Sequence, residues 1–342
     1  MGVLHVRCIM SAPPFACRRL PHGCCQDRPI GVTWPAGREG GMASGSTVGL
    51  VGIGLMGEAI AERLLSAGVR VLGFDLDASR NARLAERGGI AAASLAEVAH
   101  AADPIIIAVF STDQVEDVVG SLLPHMAGTG KAIVCTSTCD PDRVAVLAAR
   151  VTAQGVRFVE APVSGTSEQV RRGQGVGLIG GEAETVVQLE PVLKTVFPTL
   201  FHVGRAGDGG RAKLAVNLIL GLNRLALAEG LVFAERLGLD ANAFLAVARG
   251  SAAYSQVMDT KGPKMVRRDF TPEGRVRQTL KDVHLMLDQA RRLGQPLPTL
   301  AVHGEVLEAL VARGEGDLDN SAVFREIERR ADNPAESSSE SR

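Results

Sequence analysis

The stretch of sequence that decides the fold is STVGLVGIGLMG, at residues 46–57. Its first half contains a short apolar segment, residues 47–51, that is typical of a buried strand, and the strand leads directly into a Gly-rich turn and a helix. In that turn Gly52 permits a tight bend, Gly54 lets the backbone approach a phosphate, and Gly57 allows the helix to pack closely on the strand. Free N–H groups at the start of the helix favour an anion. The stretch therefore predicts a dinucleotide-binding turn whose candidate contacts are Gly52, Ile53, Gly54, Leu55, Met56 and Gly57.

An acidic residue follows the next strand candidate, residues 69–74. Asp75 stands 18 positions after Gly57, which is close to the spacing of the carboxylate that binds the adenosine ribose in such folds. Its charge would repel a 2′-phosphate, so Asp75 favours NAD over NADP. Arg80 lies a few residues further on and offers a cation to a phosphate, which keeps NADP as the alternative.

The rest of the chain divides into two patterns. Further strand candidates are residues 104–109, 132–136, 157–160 and 176–179. In segments between the strand candidates, such as residues 57–67 and 115–126, apolar residues recur with the helical period. We expect an α/β protein with an N-terminal Rossmann-type, doubly wound parallel sheet. From residue 209 onward only helical patterns remain, at 211–237, 241–248, 276–293 and 300–313. We therefore predict an NAD-binding domain at residues 42–207 and an all-α domain for substrate and subunit contacts at residues 208–330.

Both ends of the chain differ from this pattern. Residues 1–41 mix Pro, Gly, Arg and Cys without any period, which predicts a disordered extension. The string Arg-Glu-Gly-Gly at residues 38–41 is what a purine-rich ribosome-binding site would read as if translated, so our hypothesis is that Met42 is the natural start. Residues 331–342 are rich in Ser and Glu and are expected to form a disordered tail.

Composition narrows the function classes. The 342-residue chain carries 37 Lys and Arg against 38 Asp and Glu, which does not suggest a partner such as nucleic acid or an anionic membrane. No uninterrupted apolar run reaches the roughly 18 residues that span a bilayer. Four of the six cysteines lie within the first 25 residues and lack the paired spacing of a zinc site. We expect a cytoplasmic protein that binds no metal and acts on a small molecule.

Four sequence blocks, taken in order, resemble the β-hydroxyacid dehydrogenases, the group that includes 3-hydroxyisobutyrate dehydrogenase, tartronate semialdehyde reductase and, more distantly, 6-phosphogluconate dehydrogenase. The blocks are GLVGIGLMG at 49–57, EAPVSGT at 160–166, GDGGRAKLAVN at 207–217 and LKD at 280–282. The resemblance covers about residues 48–327. It implies NAD-dependent, reversible oxidation of a hydroxyl on the β-carbon of a small, 3-hydroxyisobutyrate-like acid.

The resemblance also implies roles for residues near the substrate. Lys213 is the expected general acid/base, Asn217 holds the reacting hydroxyl, and the turn of Ser164, Gly165 and Thr166 binds the acid group. The residues themselves agree, because Lys213 and Asn217 are four apart on one predicted helix and share a face. A lysine that is partly removed from water has a lowered pKa, which suits it to accept a hydroxyl proton.

On the cofactor side, the resemblance places Thr138 and Lys281 near the nicotinamide. Phe110 and Ser111 stand where the family commonly has Leu-Pro, and we expect them to contact the cofactor too. Thr166 replaces the second glycine of the substrate turn, so the identity of the acid stays open.

The alternatives are an NADPH-dependent reductase of tartronate semialdehyde, succinic semialdehyde or glyoxylate, and a nucleotide-binding scaffold without catalysis. The predicted helix at 211–237 is apolar on more than one face, which indicates burial between other helices or against a second subunit in a homodimer or homotetramer.

Overall fold

The computed structural model describes residues 46–332. Within this part of the chain, nine strands form one sheet in the order β3-β2-β1-β4-β5-β6-β8-β7, with β9 beside β8. Strands β1 to β6 pair in parallel, whereas β8 is antiparallel to both β6 and β7. The strands are β1 (Thr47–Val51), β2 (Arg70–Phe74), β3 (Ile90–Ala91), β4 (Ile105–Ile107), β5 (Ala132–Cys135), β6 (Arg157–Glu160), β7 (Val163–Ser164), β8 (Val176–Gly181) and β9 (Thr199–Gly204).

Helices cover both faces of this sheet. Because successive strand residues point to opposite faces, Leu50 and Val51 of β1 enter two different apolar cores. In β4, Ile106 joins the first core, and Ile105 and Ile107 join the second. The helices are α1 (Leu55–Ser66), α2 (Ala78–Glu86), α3 (Leu95–Ala101), α4 (Thr112–Met126), α5 (Pro141–Ala153), α6 (Ser167–Arg171) and α7 (Ala183–Val196).

Beyond β9 the described chain is helical. A third apolar core, which includes Leu231, Met265, Leu307 and Phe324, lies among these helices. The predicted class, a parallel Rossmann-type sheet followed by an all-α region, is therefore confirmed. The change occurs between Gly204 and Asp208, while the domain bounds 42–207 and 208–330 stay a prediction. The helices are α8 (Asp208–Arg236), α9 (Ala241–Arg249), α10 (Gln256–Thr260), α11 (Gly262–Arg267), α12 (Val276–Leu293), α13 (Pro298–Ala312), a 3-10 turn (Asn320–Ala322) and α14 (Val323–Asp332).

Three strands, β3, β7 and β9, have no counterpart among the sequence predictions. The first two have two residues each, which is too short for any period to show. Strand β9 has no fully buried residue, so the apolar pattern that would predict a strand is weak in its sequence. Its hydrogen-bonded pairing with β8 defines it as a strand. The predicted tail begins too early, because Ala331 and Asp332 belong to α14, and Arg236 forms an ion pair with Asp332. The predicted extension, residues 1–41, and the remainder of the tail lie outside the described residues.

Helix α8 also corrects an expectation. By length and composition α8 is long and apolar enough to cross a membrane. Charged residues divide the apolar run of α8, so the sequence shows no uninterrupted run of the required length. Within the fold 39% of its apolar 18-residue window is buried, and α8 packs on β8, α12 and α14. Core helices of globular proteins can be equally long and apolar.

Candidate active site

A cavity of about 830 Å³ lies where the carboxyl ends of β1, β2, β4 and β5 face helices α8 and α12. Ligands of open parallel sheets bind at this edge, and the volume is in the range of small-molecule sites. Most of the predicted site residues line the cavity. They are Gly52, Gly54, Leu55, Met56, Asp75, Phe110, Thr138, Ser164, Gly165, Thr166, Lys213, Asn217 and Lys281.

Three predicted cofactor residues, Ile53, Gly57 and Ser111, are not among the lining residues. Ile53 contributes through its backbone, since its N–H donates to Asp75 Oδ2 at 2.7 Å. The hydroxyl of Ser111 accepts the N–H of Gln114 at 3.2 Å and caps α4. Ile53 and Ser111 thus shape the loops that border the cavity and do not line it themselves.

The Gly-rich turn fits the pyrophosphate of a dinucleotide. Gly52 has a φ of +90°, and a Cβ there would lie 2.7 Å from the carbonyl oxygen of Ala108, so only glycine fits. At Gly57 a Cβ would lie 2.0 Å from the carbonyl oxygen of Gly52, which shows how closely α1 packs on the turn. At Gly54 the nearest contact is Arg80 Nη1 at 3.8 Å. Helix α1 also begins without a side-chain cap, so its first N–H groups are available to an anion.

Asp75 both lines the cavity and braces the turn. Its carboxylate accepts the N–H groups of Ile53 at 2.7 Å and Asp77 at 2.9 Å. Arg80 Nη1 lies 3.2 Å from Asp75 Oδ2, and Arg80 Nε lies 3.4 Å from Asp77 Oδ2. The predicted ribose-binding carboxylate is therefore accompanied by a cation that also lines the cavity.

Lys213 is in the second turn of α8 and only 6% exposed. Burial lowers its pKa to about 8, Asp282 opposes that effect, and the charges of Lys281 and Arg224 lower the pKa further. An amine with such a pKa is present in both protonation states near neutral pH. It can accept a proton in one direction of a reaction and return the proton in the other.

Asp282 connects the residues around Lys213. Its Oδ2 accepts the Asn217 Nδ2–H at 2.8 Å, and its Oδ1 lies 2.9 Å from Lys281 Nζ. Lys281 Nζ also donates to the carbonyl oxygen of Thr138 at 2.5 Å and lies 5.6 Å from the ring centre of Phe110. Asp282, which was not predicted as a site residue, thus joins two that were, Asn217 and Lys281, and Lys281 in turn contacts Thr138 and Phe110. The only signal for Asp282 in the sequence was its place beside Lys281.

The substrate turn has a divided role. Thr166 caps α6, since its hydroxyl accepts the Gln169 N–H at 3.2 Å and its own N–H donates to Gln169 Oε1 at 2.8 Å. Gly165 has a φ of +134°, which favours glycine at this position. Thr166 therefore shapes the turn, while Ser164 and Gly165 border the cavity as well.

Glu160, at the end of β6, fixes the start of α8. Its two carboxylate oxygens accept the N–H groups of Gly209 at 2.8 Å and Gly210 at 3.2 Å. Burial raises the pKa of Glu160 to about 7, although these N–H groups act in the opposite direction. By holding the first turn of α8, Glu160 helps to position Lys213.

Sequence reasoning also missed two residues on the inner wall of the cavity, Arg224 and His303. Arg224 is on α8, and His303 is on α13 and fully buried. The signal available for Arg224 was a single charge within a long apolar stretch. His303 offered none.

The fold, the Gly-rich turn and the lysine cluster define an NAD(P)-binding dehydrogenase. Residues 47–204 match the family described as the NAD binding domain of 6-phosphogluconate dehydrogenase. Residues 207–327 match the family described as NAD-binding of NADP-dependent 3-hydroxyisobutyrate dehydrogenase. The chain belongs to the β-hydroxyacid dehydrogenase family.

Similar proteins agree with this assignment. L-threonate dehydrogenase of Cupriavidus necator is 31% identical over 281 residues, which cover 81% of this chain and 95% of that protein. The 2-hydroxy-3-oxopropionate reductase of Escherichia coli is 30% identical, with coverage of 82% and 97%. The crystal structure of a 3-hydroxyisobutyrate dehydrogenase from Salmonella typhimurium is 30% identical, with a TM-score of 0.75 and coverage of 82% and 99%. This protein is therefore an NAD(P)-dependent oxidoreductase of the hydroxyacid type.

Proposed function

We propose that this enzyme oxidises the hydroxyl group of a small, 3-hydroxyisobutyrate-like β-hydroxy acid reversibly with NAD, and that Lys213 is its general acid/base. The observation that carries the proposal is the buried Lys213 beside Asn217, Asp282 and Lys281, on the same cavity as the Gly-rich turn.

The residues divide the work as follows. When bound, NAD supplies the acceptor for the hydride that leaves the hydroxyl-bearing carbon. Lys213 Nζ accepts the hydroxyl proton, and in the reverse reaction it returns this proton to the carbonyl oxygen. Asn217, held by Asp282, orients the reacting hydroxyl. Ser164 and the Gly165 N–H bind the carboxylate of the substrate.

The preference for NAD rests on Asp75. Its carboxylate is suited to ribose hydroxyls and repels a 2′-phosphate as a like charge. The second candidate is an NADPH-dependent reductase of a semialdehyde or glyoxylate, and Arg80 at the same wall is the observation that favours it. A comparison of kcat/KM with NAD and NADP separates the two.

A panel of β-hydroxy acids, assayed with each cofactor by the absorbance of the reduced form, tests the reaction type. Lys213→Ala should lower kcat on the best substrate by about 10²–10⁴-fold and should leave NAD binding nearly unchanged. Lys194→Ala, which removes a half-exposed lysine on α7 outside the cavity, is the matched control. Turnover in Lys213→Ala within about threefold of wild type would remove Lys213 from the mechanism. If no acid of the panel is turned over with either cofactor, the proposed substrate class is wrong.

The helical region also supports a proposed homo-oligomer. Large apolar side chains remain exposed there, at Ile219 (61%), Phe233 (64%) and Val247 (66%). A homodimer or homotetramer would cover them, and a monomeric mass in light scattering would contradict it. We further propose that the enzyme acts in the cytoplasm, where the free, buried thiols of Cys135 and Cys139 stay reduced. Fractionation of the native host tests this location.

A further inference from the structure

The cavity continues along α8 well beyond Lys213. Lys213, Asn217, Gly221 and Arg224 all line it, and their spacing of four, four and three residues places them on one face of the helix. The rise of an α-helix places the backbone of Arg224 about 16 Å further along the axis than that of Lys213. The proposed reaction uses only the first two of these four residues.

Arg224 is a buried cation without a counter-ion. It is 8% exposed, and its Nε and Nη1 have no hydrogen-bond partner. Within residues 46–332 no carboxylate forms an ion pair with it. Asp319 acts on it electrostatically, but its two carboxylate oxygens are bound by Lys261 Nζ at 3.0 and 2.9 Å. Buried charges are normally paired, so the guanidinium is left for a partner from outside the chain.

His303 adds unused hydrogen-bonding capacity beside it. The imidazole is fully buried, and neither of its nitrogens has a partner. Gly221 makes room for the ring, since a Cβ there would lie 2.8 Å from His303 Cε1. Burial lowers the pKa of His303 to about 4, and Arg224 contributes to this effect. The ring is therefore neutral near pH 7 and keeps one N–H to donate. We call Arg224 and His303 the inner donor pair.

We propose that the inner donor pair binds a second anionic group of the substrate, so that the preferred substrate is a β-hydroxy acid with a further carboxylate or phosphonate. This inference rests on the proposed function and defines its substrate class. The planar guanidinium of Arg224 offers two parallel donors to such an oxyanion, and His303 adds a neutral donor. A monoacid would leave these donors unpaired. Sites built to bind a polar group discriminate strongly against analogues that lack it.

A matched pair of substrates tests the inference. In 2-(hydroxymethyl)butanedioate one carboxylate replaces a methyl hydrogen of 3-hydroxy-2-methylpropanoate, and the phosphonate analogue places a phosphonate there. In wild type the diacid or the phosphonate should exceed the monoacid in kcat/KM by tenfold or more, roughly the effect of one charge-assisted hydrogen bond. The better of the two identifies the anion. Arg224→Met should lower that ratio by roughly 10- to 100-fold, mainly through KM.

Two further variants complete the set. Arg236→Met, which removes a mostly exposed arginine at the end of the same helix, is the matched control and should leave the ratio unchanged. Gly221→Ala should also lower the ratio, because the added Cβ displaces His303. If Arg224→Met fails to fold, Gly221→Ala and Arg224→Lys carry the test, and Arg224→Lys should retain part of the preference.

Calorimetry on the NAD-saturated protein separates this inference from the proposed function, because it needs no turnover. Butanedioate should bind wild type more tightly than butanoate and should lose this advantage in Arg224→Met. If both acids are oxidised equally well and butanedioate binds the variant as it binds wild type, the inner donor pair is not an anion site, while the dehydrogenase function stands. If neither acid is oxidised but butanedioate binding depends on Arg224, the anion site stands and the proposed reaction fails.

Discussion

Replacing Lys213 by Met should make the protein more stable while it abolishes most of the activity. The ammonium of Lys213 is buried in a site where its pKa is about 8 rather than 10.5. At about 1.4 kcal/mol per pH unit, this gap corresponds to roughly 3 kcal/mol of unfolding free energy. Met has a similar length and no charge, so it can occupy the same space without this penalty.

The size of the effect depends on pH. Below pH 8 the lysine is protonated in both the folded and the unfolded state, and the folded state bears the full cost of burying the charge. Between pH 8 and 10.5 the folded amine becomes neutral first, so the cost falls, and above 10.5 it is gone. The stability that Lys213→Met gains over wild type should thus be greatest at neutral pH and should shrink as the pH rises.

Urea unfolding at pH 7 and pH 9.5 measures the difference in unfolding free energy between Lys213→Met and wild type. We expect Lys213→Met to exceed wild type by about 3 kcal/mol at pH 7 and by about 1.4 kcal/mol at pH 9.5, with kcat lower by about 10²–10⁴-fold. Lys194→Met on α7, outside the cavity, should leave kcat near the wild-type value and should not raise the stability, because Lys194 pairs with Glu190. A Lys213→Met protein that is no more stable than wild type at pH 7 would refute the argument that burial lowers this pKa.

Three other residues give shorter tests. Asp75→Ser should shift the kcat/KM ratio toward NADP by about tenfold, or about 1.4 kcal/mol, because it removes a like charge and releases Arg80; an unchanged ratio would contradict its role. Burial raises the pKa of Glu160 to about 7 from 4.5, so its stabilising contribution is complete below pH 4.5 and is lost as the pH rises through 7. The Tm of Glu160→Gln should therefore fall less than that of wild type between pH 5 and 8, and equal slopes would count against this. Gly57→Ala places a Cβ 2.0 Å from a carbonyl oxygen, so the NAD Kd in a fluorescence titration should rise by tenfold or more; a change below about twofold would show that the turn tolerates the Cβ.

The local sequence predicted the elements whose structure depends on neighbouring residues alone. Strand β1 has the predicted bounds, and the Gly-rich turn follows it at the cavity, because a tight turn needs glycine at Gly52 and close packing needs it at Gly57. Helix α12 also has its predicted bounds, since its apolar residues repeat with the helical period. The capping roles of Ser111 and Thr166 were readable too, because each has Gln three residues later.

The chemistry of the site depends on residues far apart in the chain. Asp282 reaches Asn217 across 65 positions, and Lys281 reaches Thr138 across 143 positions. Contacts between residues so far apart leave no periodic pattern in the sequence. The pKa of Lys213 depends on its removal from water, which only the assembled fold determines. The sequence shows Arg224 only as a single charge on an apolar helix, and its burial without a counter-ion depends on the packing of α8 in the assembled fold.

The unpaired donors on α8 and α13 connect stability with function. Lys213 is desolvated at the catalytic end of the cavity, and Arg224 and His303 lack hydrogen bonds on its inner wall. Such groups cost stability in the empty protein, whereas an anion that fills the cavity supplies the missing counter-charge. An acid that engages both ends would thus stabilise the fold in proportion to its binding, because it binds only the folded state. If the proposed anion site is correct, the same burial that gives Lys213 a usable pKa also favours anions in the cavity, since a neutral molecule would offer no counter-charge to Lys213 and Arg224.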